Sequence, residues 1–330
     1  MRTELPFEKI KREILTRREH VSDPKFGCRP EARPIQQHLN YGVVNVDKPK
    51  GPTSHQVSAY VQKIFGIDKA GHSGTLDPKV TGVLPVALSK VTKVVQALLP
   101  AGKEYVCIMH LHDDIKEEQI RAACNEFVGR IKQMPPLKSA VKRQERYRKV
   151  YYFNILEIKK REVLFRVGCQ AGTYIRKLVH DIGVKLGCGA HMAELRRTKA
   201  GPFNESTLCT MQDLTDAVWL FKEKNDESLL RKYVQPVENA VAHLPKVWVL
   251  DSTVASIAHG ANLKIPGISR VHSDIQADEL VAIMTEKDEL VAFGEAKMIS
   301  KDMVKKERGI AVVLERVFME RDVYPKIERV

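Results

Sequence analysis

GVVNVDKPKGPTSHQVSAYVQKIFG, residues 42–66, changes its period half-way along. Val43 to Val46 reads as a short strand, KPKGP breaks it, and Thr53 or Ser54 can cap a helix. Val57, Tyr60, Val61, Ile64 and Phe65 then recur on one helical face, and Gly66 stops the helix. A strand feeding an amphipathic helix in so few residues calls for a sheet covered by helices.

The pattern continues irregularly on the C-terminal side. VLPVALS reads as a strand despite Pro85. SKVTKVVQALLPAG reads as a helix capped by Ser89, with Val91, Val94, Val95, Leu98 and Leu99 inward and Pro100 ending it. KEYVCIMHL alternates as a strand. EEQIRAACNEFVG puts Ile120, Ala123, Cys124, Phe127 and Val128 on one helical side. KVYYFNILEI and EVLFRVGCQ are two strands joined by a charged turn, GTYIRKLVHDIGVKLG is a helix with Ile175, Leu178, Val179 and Ile182 inward, and AELRRTKAGPF returns as a strand. This is an α/β (α+β) chain with a mixed sheet; a doubly wound fold would alternate more strictly.

The texture shifts at both ends. Residues 1–40 are charge-dense, carry Pro24, Pro30 and Pro34, and read as an extended arm. From Lys246 onward the chain reads as short strands with turn residues between, including a hairpin over Leu280 to Gly294 with the turn EKDE. The expected organisation is an N-terminal extension over 1–40, a main domain over 41–245 and a small β-rich module over 246–330, with the arm packed on that module.

The bulk composition narrows the partners. The 330 residues are 43% hydrophobic and 29% charged, enough for a sizeable core, and the formal net charge is +13. A balance that basic, clustered as it is here, favours a polyanion over a mere solubility bias. No apolar run approaches the ~20 residues of a membrane span, and the start MRTELPFEKIKREILTRREH lacks a signal-peptide core. Cysteines 28, 107, 124, 169, 188 and 209 form no C-x-x-C pair and read as reduced thiols of a cytoplasmic protein. Histidines 55, 72, 110, 112, 180 and 191 lack metal-ligand spacing, so no metal site is expected. Neither G-x-x-x-x-G-K-[ST] nor G-x-G-x-x-G occurs, so no nucleotide cofactor is expected either.

Three stretches can carry chemistry. GHSGTLDPKVTG, residues 71–82, holds one acid, Asp77, between Gly74 and Gly82 and just before Pro78. Such a loop can present one side chain rigidly. The plain alternative is a turn in which Asp77 caps its own backbone. One carboxylate is too few for paired-acid glycoside hydrolysis, but it can attack covalently. In GTYIRKLVHDIG, Arg176 lies on the flank of the inward helical face, where a guanidinium suits a carboxylate clamp; a surface arginine is the commoner case. In PPLKSAVKRQERYRKVYY, Lys138, Lys142, Arg143, Arg146, Arg148 and Lys149 face a single acid, Glu145, with Tyr147, Tyr151 and Tyr152 interleaved. That mixture suits RNA better than a membrane or a plain solvated loop. Residue chemistry by itself stops at a basic RNA-binding protein with one essential acid.

VVNVDKPKGPTSHQV, AGHSGTLDPKVTGVLPV, KEYV, PPLKSAVKR and GTYIRKLVHDIGVKLGCGAHMAELRR, in this order and spacing, resemble the TruB-type pseudouridine synthases over residues 40–235. IAHGANLKIPGI and AFGEAKM resemble a PUA RNA-binding domain. The extension resembles the H/ACA RNA-guided branch related to dyskerin, and the ending VYPKIERV, without a lysine-rich tail, resembles its archaeal members. The resemblance implies a largely antiparallel sheet core flanked by helices. It makes Asp77 the catalytic aspartate, Arg176 its partner, and Tyr105 the ring stacking on the target base and a candidate for moving the C5 proton. It places His72 near the flipped-out nucleotide, Lys48, Leu195 and Arg197 along the site or RNA path, and Lys142 and Arg143 in a thumb loop gripping RNA.

The implied function is isomerisation of uridine in rRNA by the catalytic subunit of an H/ACA ribonucleoprotein. The implied partners are guide RNA and small H/ACA accessory proteins. Asp77 either attacks C1′ or removes a sugar proton; both readings stay open. A non-catalytic H/ACA scaffold and a stand-alone modifier of the tRNA T-loop are the competing functions. Asp77 separates the first of these from an enzyme, since a scaffold has no need of it.

Overall fold

The computed structural model describes residues 3–134 and 144–326, and in it residues 42–66 form a strand, Gly42–Lys48, followed by a helix, Ser54–Phe65. Thr53 caps the helix. Its hydroxyl accepts from the Gln56 N–H, and the Gln56 side chain accepts in return from the Thr53 N–H. Gly66, at φ +64°, closes the other end. The buried face is narrower than the spacing implies: Val57 and Val61 are buried, but Tyr60 is 46% exposed.

The strands of the first two-thirds of the chain are β1 Ile14–Thr16, β2 Gly42–Lys48, β3 Ala70–His72, β4 Thr81–Leu88, β5 Lys103–Leu111 and β6 Gly129–Gln133. Then come β7 Arg146–Lys159, β8 Glu162–Cys169, β9 Ala190–Ala200, β10 Phe203–Asn204 and β11 Val234–Pro236. The remainder are β12 Lys246–Val249, β13 Leu263–Lys264, β14 Ile268–His272, β15 Leu280–Thr285, β16 Leu290–Ala296 and β17 Ile310–Val317.

Two sheets result. The larger, ten-stranded among the described residues, runs β11-β2-β4-β9-β5-β8-β7-β6, with β3 beside β4 and β10 beside β9. Its pairings are antiparallel except for one. β4 and β9 run parallel and are in register only at Thr81 with Arg196 and Gly82 with Arg197. Two long antiparallel blocks therefore meet at a short seam. The helix Ile175–Leu186 buries Ile175, Leu178, Val179 and Ile182 against Cys107, Met109, Phe165 and Val167 of the second block. Each aliphatic side chain so buried contributes roughly 1.5–3 kcal/mol.

The smaller sheet runs β1-β14-β12-β15-β16-β17-β13. The N-terminal arm supplies its edge: Ile14, Leu15 and Thr16 pair with His272, Val271 and Arg270. Trp248, Phe293 and Phe318 share one buried cluster with Tyr41, Val43, Val83 and Val91, so an apolar contact joins the two sheets.

Some elements differ from the sequence reading. Ser89 does not cap a helix. It sits at φ +45°, donates its hydroxyl to Asn40 Oδ1, and opens a 3-10 turn, Ser89–Val94, before a short helix, Val95–Leu98. Asp251–Ala258, read as part of a strand region, is a helix with Val254, Ala255, Ile257 and Ala258 buried. The arm is not extended throughout, since Ile35–Asn40 is helical.

Candidate active site at the seam of the larger sheet

The seam opens into a cleft of about 1440 Å³ lined by residues 73–81, by Tyr105 and its neighbours on β5, by residues 170–176, and by residues 192–197 of β9. Asp77 stands on one wall. Its loop is built from below by buried donors. The Leu76 N–H donates to Ser54 Oγ at 2.8 Å, and Val80 N–H closes the turn on Asp77 O at 2.9 Å. Lys48 is fully buried and gives its ammonium protons to the carbonyls of Pro49, Pro78 and Val80 at 2.9, 3.2 and 2.9 Å. Burial lowers the Lys48 pKa, opposed by the nearby Asp77 charge.

The Asp77 carboxylate does not cap its own turn. It pairs with the Arg176 guanidinium, which comes from the second position of the helix Ile175–Leu186. Both side chains are about half exposed, 53% and 55%. Exposed pairs contribute about 0–1 kcal/mol, so this pair orients the acid more than it stabilises the fold.

Tyr105 lines the same cleft as the pair. On the neighbouring strand its register partner is Arg197, which is 1% exposed and donates to Val83 O at 2.8 Å and Gly74 O at 3.3 Å. Burial raises the Tyr105 pKa, which the Arg197 charge and hydrogen bond oppose; Tyr105 stays a neutral phenol at physiological pH. Leu195 lines the cleft beside them, opposite Cys107.

Known proteins resemble the chain over nearly its whole length. The TruB family pseudouridylate synthase (N terminal domain) matches residues 62–175, and the tRNA pseudouridylate synthase B C-terminal domain matches 176–242. The DKCLD (NUC011) domain matches 2–58 and the PUA domain 245–318. A relative from Pyrococcus abyssi, "Probable tRNA pseudouridine synthase B", is 59% identical over 320 residues, 96% of each chain. The chain belongs to the TruB family of pseudouridine synthases. Among solved structures, a chain of "Crystal Structure of a Cbf5-Nop10-Gar1 Complex" is 58% identical with a TM-score of 0.95, covering 98% of this chain and 99% of that one. A chain of "Structure of H/ACA RNP bound to a substrate RNA containing 2'-deoxyuridine" is 56% identical with a TM-score of 0.93, over 98% and 99%.

The TruB fold brings Asp77, Arg176, Tyr105, Leu195 and Arg197 to one cleft. Lys48 and His72 stand behind the loop rather than among the cleft-lining residues. His72 Nδ1 accepts from the Gly74 N–H at 3.3 Å, and its ring meets His55 edge-on at 4.7 Å. Burial, helped by His55 and Arg197, pulls its pKa down to about 4, so a neutral imidazole supports the loop. Lys142 and Arg143, with Lys138, lie outside the described residues. The neighbouring strands remain basic: Arg130 of β6 stacks 3.8 Å over the ring of Tyr147 on β7.

The sequence reading missed two residues. Lys103, buried two positions before Tyr105, donates to Leu98 O, Leu99 O and Ala101 O at 2.8, 2.9 and 2.7 Å. Burial pulls its pKa down to about 7. It fixes the chain at Leu99, which lines the cleft. Gln133, at the end of β6, grips the backbone just before Arg176. Neither lies in a local pattern that would announce its role. Among the described residues no group of three His, Cys, Asp or Glu is placed to hold a metal, and no helix is long and apolar enough to cross a membrane.

Proposed function

We propose that this TruB-family enzyme is the catalytic subunit of an H/ACA-type guide ribonucleoprotein. It isomerises guide-selected uridines of rRNA, with tRNA uridine as a further substrate, and works in the cytoplasm alongside small accessory proteins. The observation that carries the proposal is that the Asp77–Arg176 pair and Tyr105 line one cleft, in a chain that superposes over nearly its whole length on one from an H/ACA particle bound to substrate RNA. Residues 1–40 are read as the extension, 41–245 as the catalytic domain and 246–330 as the PUA domain that holds guide RNA.

The proposed chemistry balances without a cofactor. The target base leaves its stack at a cost of a few kcal/mol, and stacking on Tyr105 returns ~1–3 kcal/mol of it. The N1–C1′ bond breaks, the uracil turns, and C5 joins C1′. C5 then loses its proton while N1 gains one, so product and substrate are isomers and no electrons enter or leave. Asp77 acts at the sugar, and Arg176 holds it there. Lys48 and His72 serve the RNA through the loop they support, while Leu195 and Arg197 shape the wall.

In a reconstituted particle, Asp77→Asn abolishes pseudouridine formation while guide-RNA affinity stays within a few-fold. Unchanged turnover in that variant refutes the catalytic role. Turnover by the wild type with and without guide RNA separates a guided enzyme from a stand-alone one.

A further inference from the structure

We infer that Gln133 is a positioning residue for Arg176: its carboxamide acts as an extra strand residue that sets where the arginine-bearing helix begins. The helix Ile175–Leu186 starts from Tyr174, which makes no side-chain cap. A helix start leaves backbone donors without intrahelical partners, so something else must fix it. Both main-chain groups of Tyr174 are bound by one side chain from far upstream. The Tyr174 N–H donates to Gln133 Oε1 at 3.0 Å, and Gln133 Nε2 donates to Tyr174 O at 3.1 Å. Gln133 is 3% exposed at the end of β6. Water therefore cannot readily substitute for it.

The approach to Tyr174 is tied as well. The Gln170 N–H donates to Lys149 O at 2.8 Å, and the Lys149 N–H donates to Gln170 Oε1 at 3.1 Å. Thr173 Oγ donates back to Gln170 O at 2.7 Å. Residues 170–174 are thus fastened to β7 at one end and to β6 at the other, and Arg176 leaves the second fastening after two residues.

The side chain at 133 must offer a donor and an acceptor side by side at glutamine length. Leucine offers neither, an ionised glutamate lacks the donor, and asparagine is one methylene short. The Asp77–Arg176 pair is half exposed and holds little by itself. The position of Arg176 is inherited from Tyr174 and therefore from Gln133. Displacement of a reacting group by about 1 Å costs on the order of 100-fold in rate.

The inference rests on Asp77 and Arg176 being the working pair of the proposed function. The test uses the full chain, assembled with whichever RNA the wild type turns over, and single-turnover kinetics. Gln133→Leu is expected to slow isomerisation by about 10- to 100-fold while RNA affinity stays within about threefold of wild type. Gln133→Glu is expected to be slow at about pH 8 and to recover towards wild type near about pH 5.5, where a buried, protonated carboxyl again offers donor and acceptor. In an Arg176→Lys background the effect of Gln133→Leu should shrink to within about twofold, since the two residues act as one. The inference is overturned if Gln133→Leu keeps the wild-type rate, if its loss persists in full on the Arg176→Lys background, or if the loss is matched by an equal loss of RNA affinity. A wild-type chain inactive on guide-paired RNA, or an active Asp77→Asn, refutes the function instead. An active wild type with an unaffected Gln133→Leu refutes only the positioning role.

Discussion

Replacing Gly82 by alanine puts the seam under direct strain. Gly82 lies at φ +101°, and a Cβ there would stand 2.2 Å from Arg197 O and 3.0 Å from Arg197 N. Both atoms are backbone, so no side chain can swing aside. Escape towards β2 is closed too, because Gly82 is opposite Lys48 on that strand. The positive φ by itself costs about 1–3 kcal/mol for a residue with a side chain. Gly51 is the natural control: it sits at φ +117° with nothing within 4 Å of its would-be Cβ. Gly51→Ala should therefore cost the torsional penalty alone, while Gly82→Ala should cost about 3–5 kcal/mol once the backbone contact is added. Because β4 and β9 share only two register pairs, the relief must come from parting them. A parting of about 1 Å would slow isomerisation on the order of 100-fold. Urea unfolding of the full chain measures the first quantity, and single-turnover kinetics on bound RNA measures the second. Equal destabilisation by the two alanines, or a full rate from Gly82→Ala, would refute the claim that the site hangs on a tight seam.

Three further outcomes are expected. Lys48→Met leaves the carbonyls of Pro49, Pro78 and Val80 without their buried donor; a loss of about 2–4 kcal/mol is expected by chemical denaturation, with a slower isomerisation step, and a wild-type midpoint would contradict it. His72, His243 and His272 have pKa values pulled to about 4 from 6.5, in each case chiefly by burial. The unfolded chain binds more protons between those limits, so the stability they contribute is present above pH 6.5 and lost as pH falls towards about 4, by at most about 3 kcal/mol each; an unfolding free energy flat across that window would rule this out. Arg33→Met strands the buried Glu238 carboxylate that also receives the Leu290 N–H, and should cost about 3–5 kcal/mol, much of it recovered by adding Glu238→Leu; a double-mutant cycle with no coupling would dispose of it.

What the sequence discloses here is whatever local chemistry determines. Thr53 with Gln56, and Gly66 beyond, mark a helix by neighbours three or four residues away. The buried spacing of Ile175, Leu178, Val179 and Ile182 likewise places Arg176 at the margin of an inward face. The misses have non-local causes. DSTVASIA carries β-branched residues that favour strands, yet it is helical because burying Val254, Ala255, Ile257 and Ala258 outweighs a weak propensity. Ser89 looks like a cap, but its hydroxyl goes to Asn40, 49 residues earlier. Asp77 illustrates the same limit from the other side. Its loop is legible as stiff, but a self-capping turn fits the residues equally well until Arg176, 99 positions later, takes the carboxylate. The resemblance implies His72 near the flipped-out nucleotide and Lys48 along the site or RNA path; the hydrogen bonds of both side chains in the fold are with backbone.

The site uses its cations at two levels of burial, and the difference has a mechanical consequence. Lys48, Lys103 and Arg197 are buried and bind backbone carbonyls. Each would leave orphaned acceptors if displaced, at a cost of roughly 1–3 kcal/mol per group. Those residues therefore fix the frame and cannot exchange partners during a reaction. Arg176 is the opposite case. It is half exposed and bound to a half-exposed acid, so parting the pair costs about 0–1 kcal/mol in the free protein. On the proposed function, a flipped nucleotide entering the cleft re-aims that pair at little cost. Closing the cleft around the base then strengthens the same Coulombic interaction, because solvent no longer screens it. A fully buried Asp77–Arg176 pair would be more rigid but would resist the substrate by several kcal/mol. On the proposed function, keeping the frame buried and this pair at the surface lets the rigidity reside in the carbonyl-bound cations and leaves the Asp77 carboxylate free to meet the sugar.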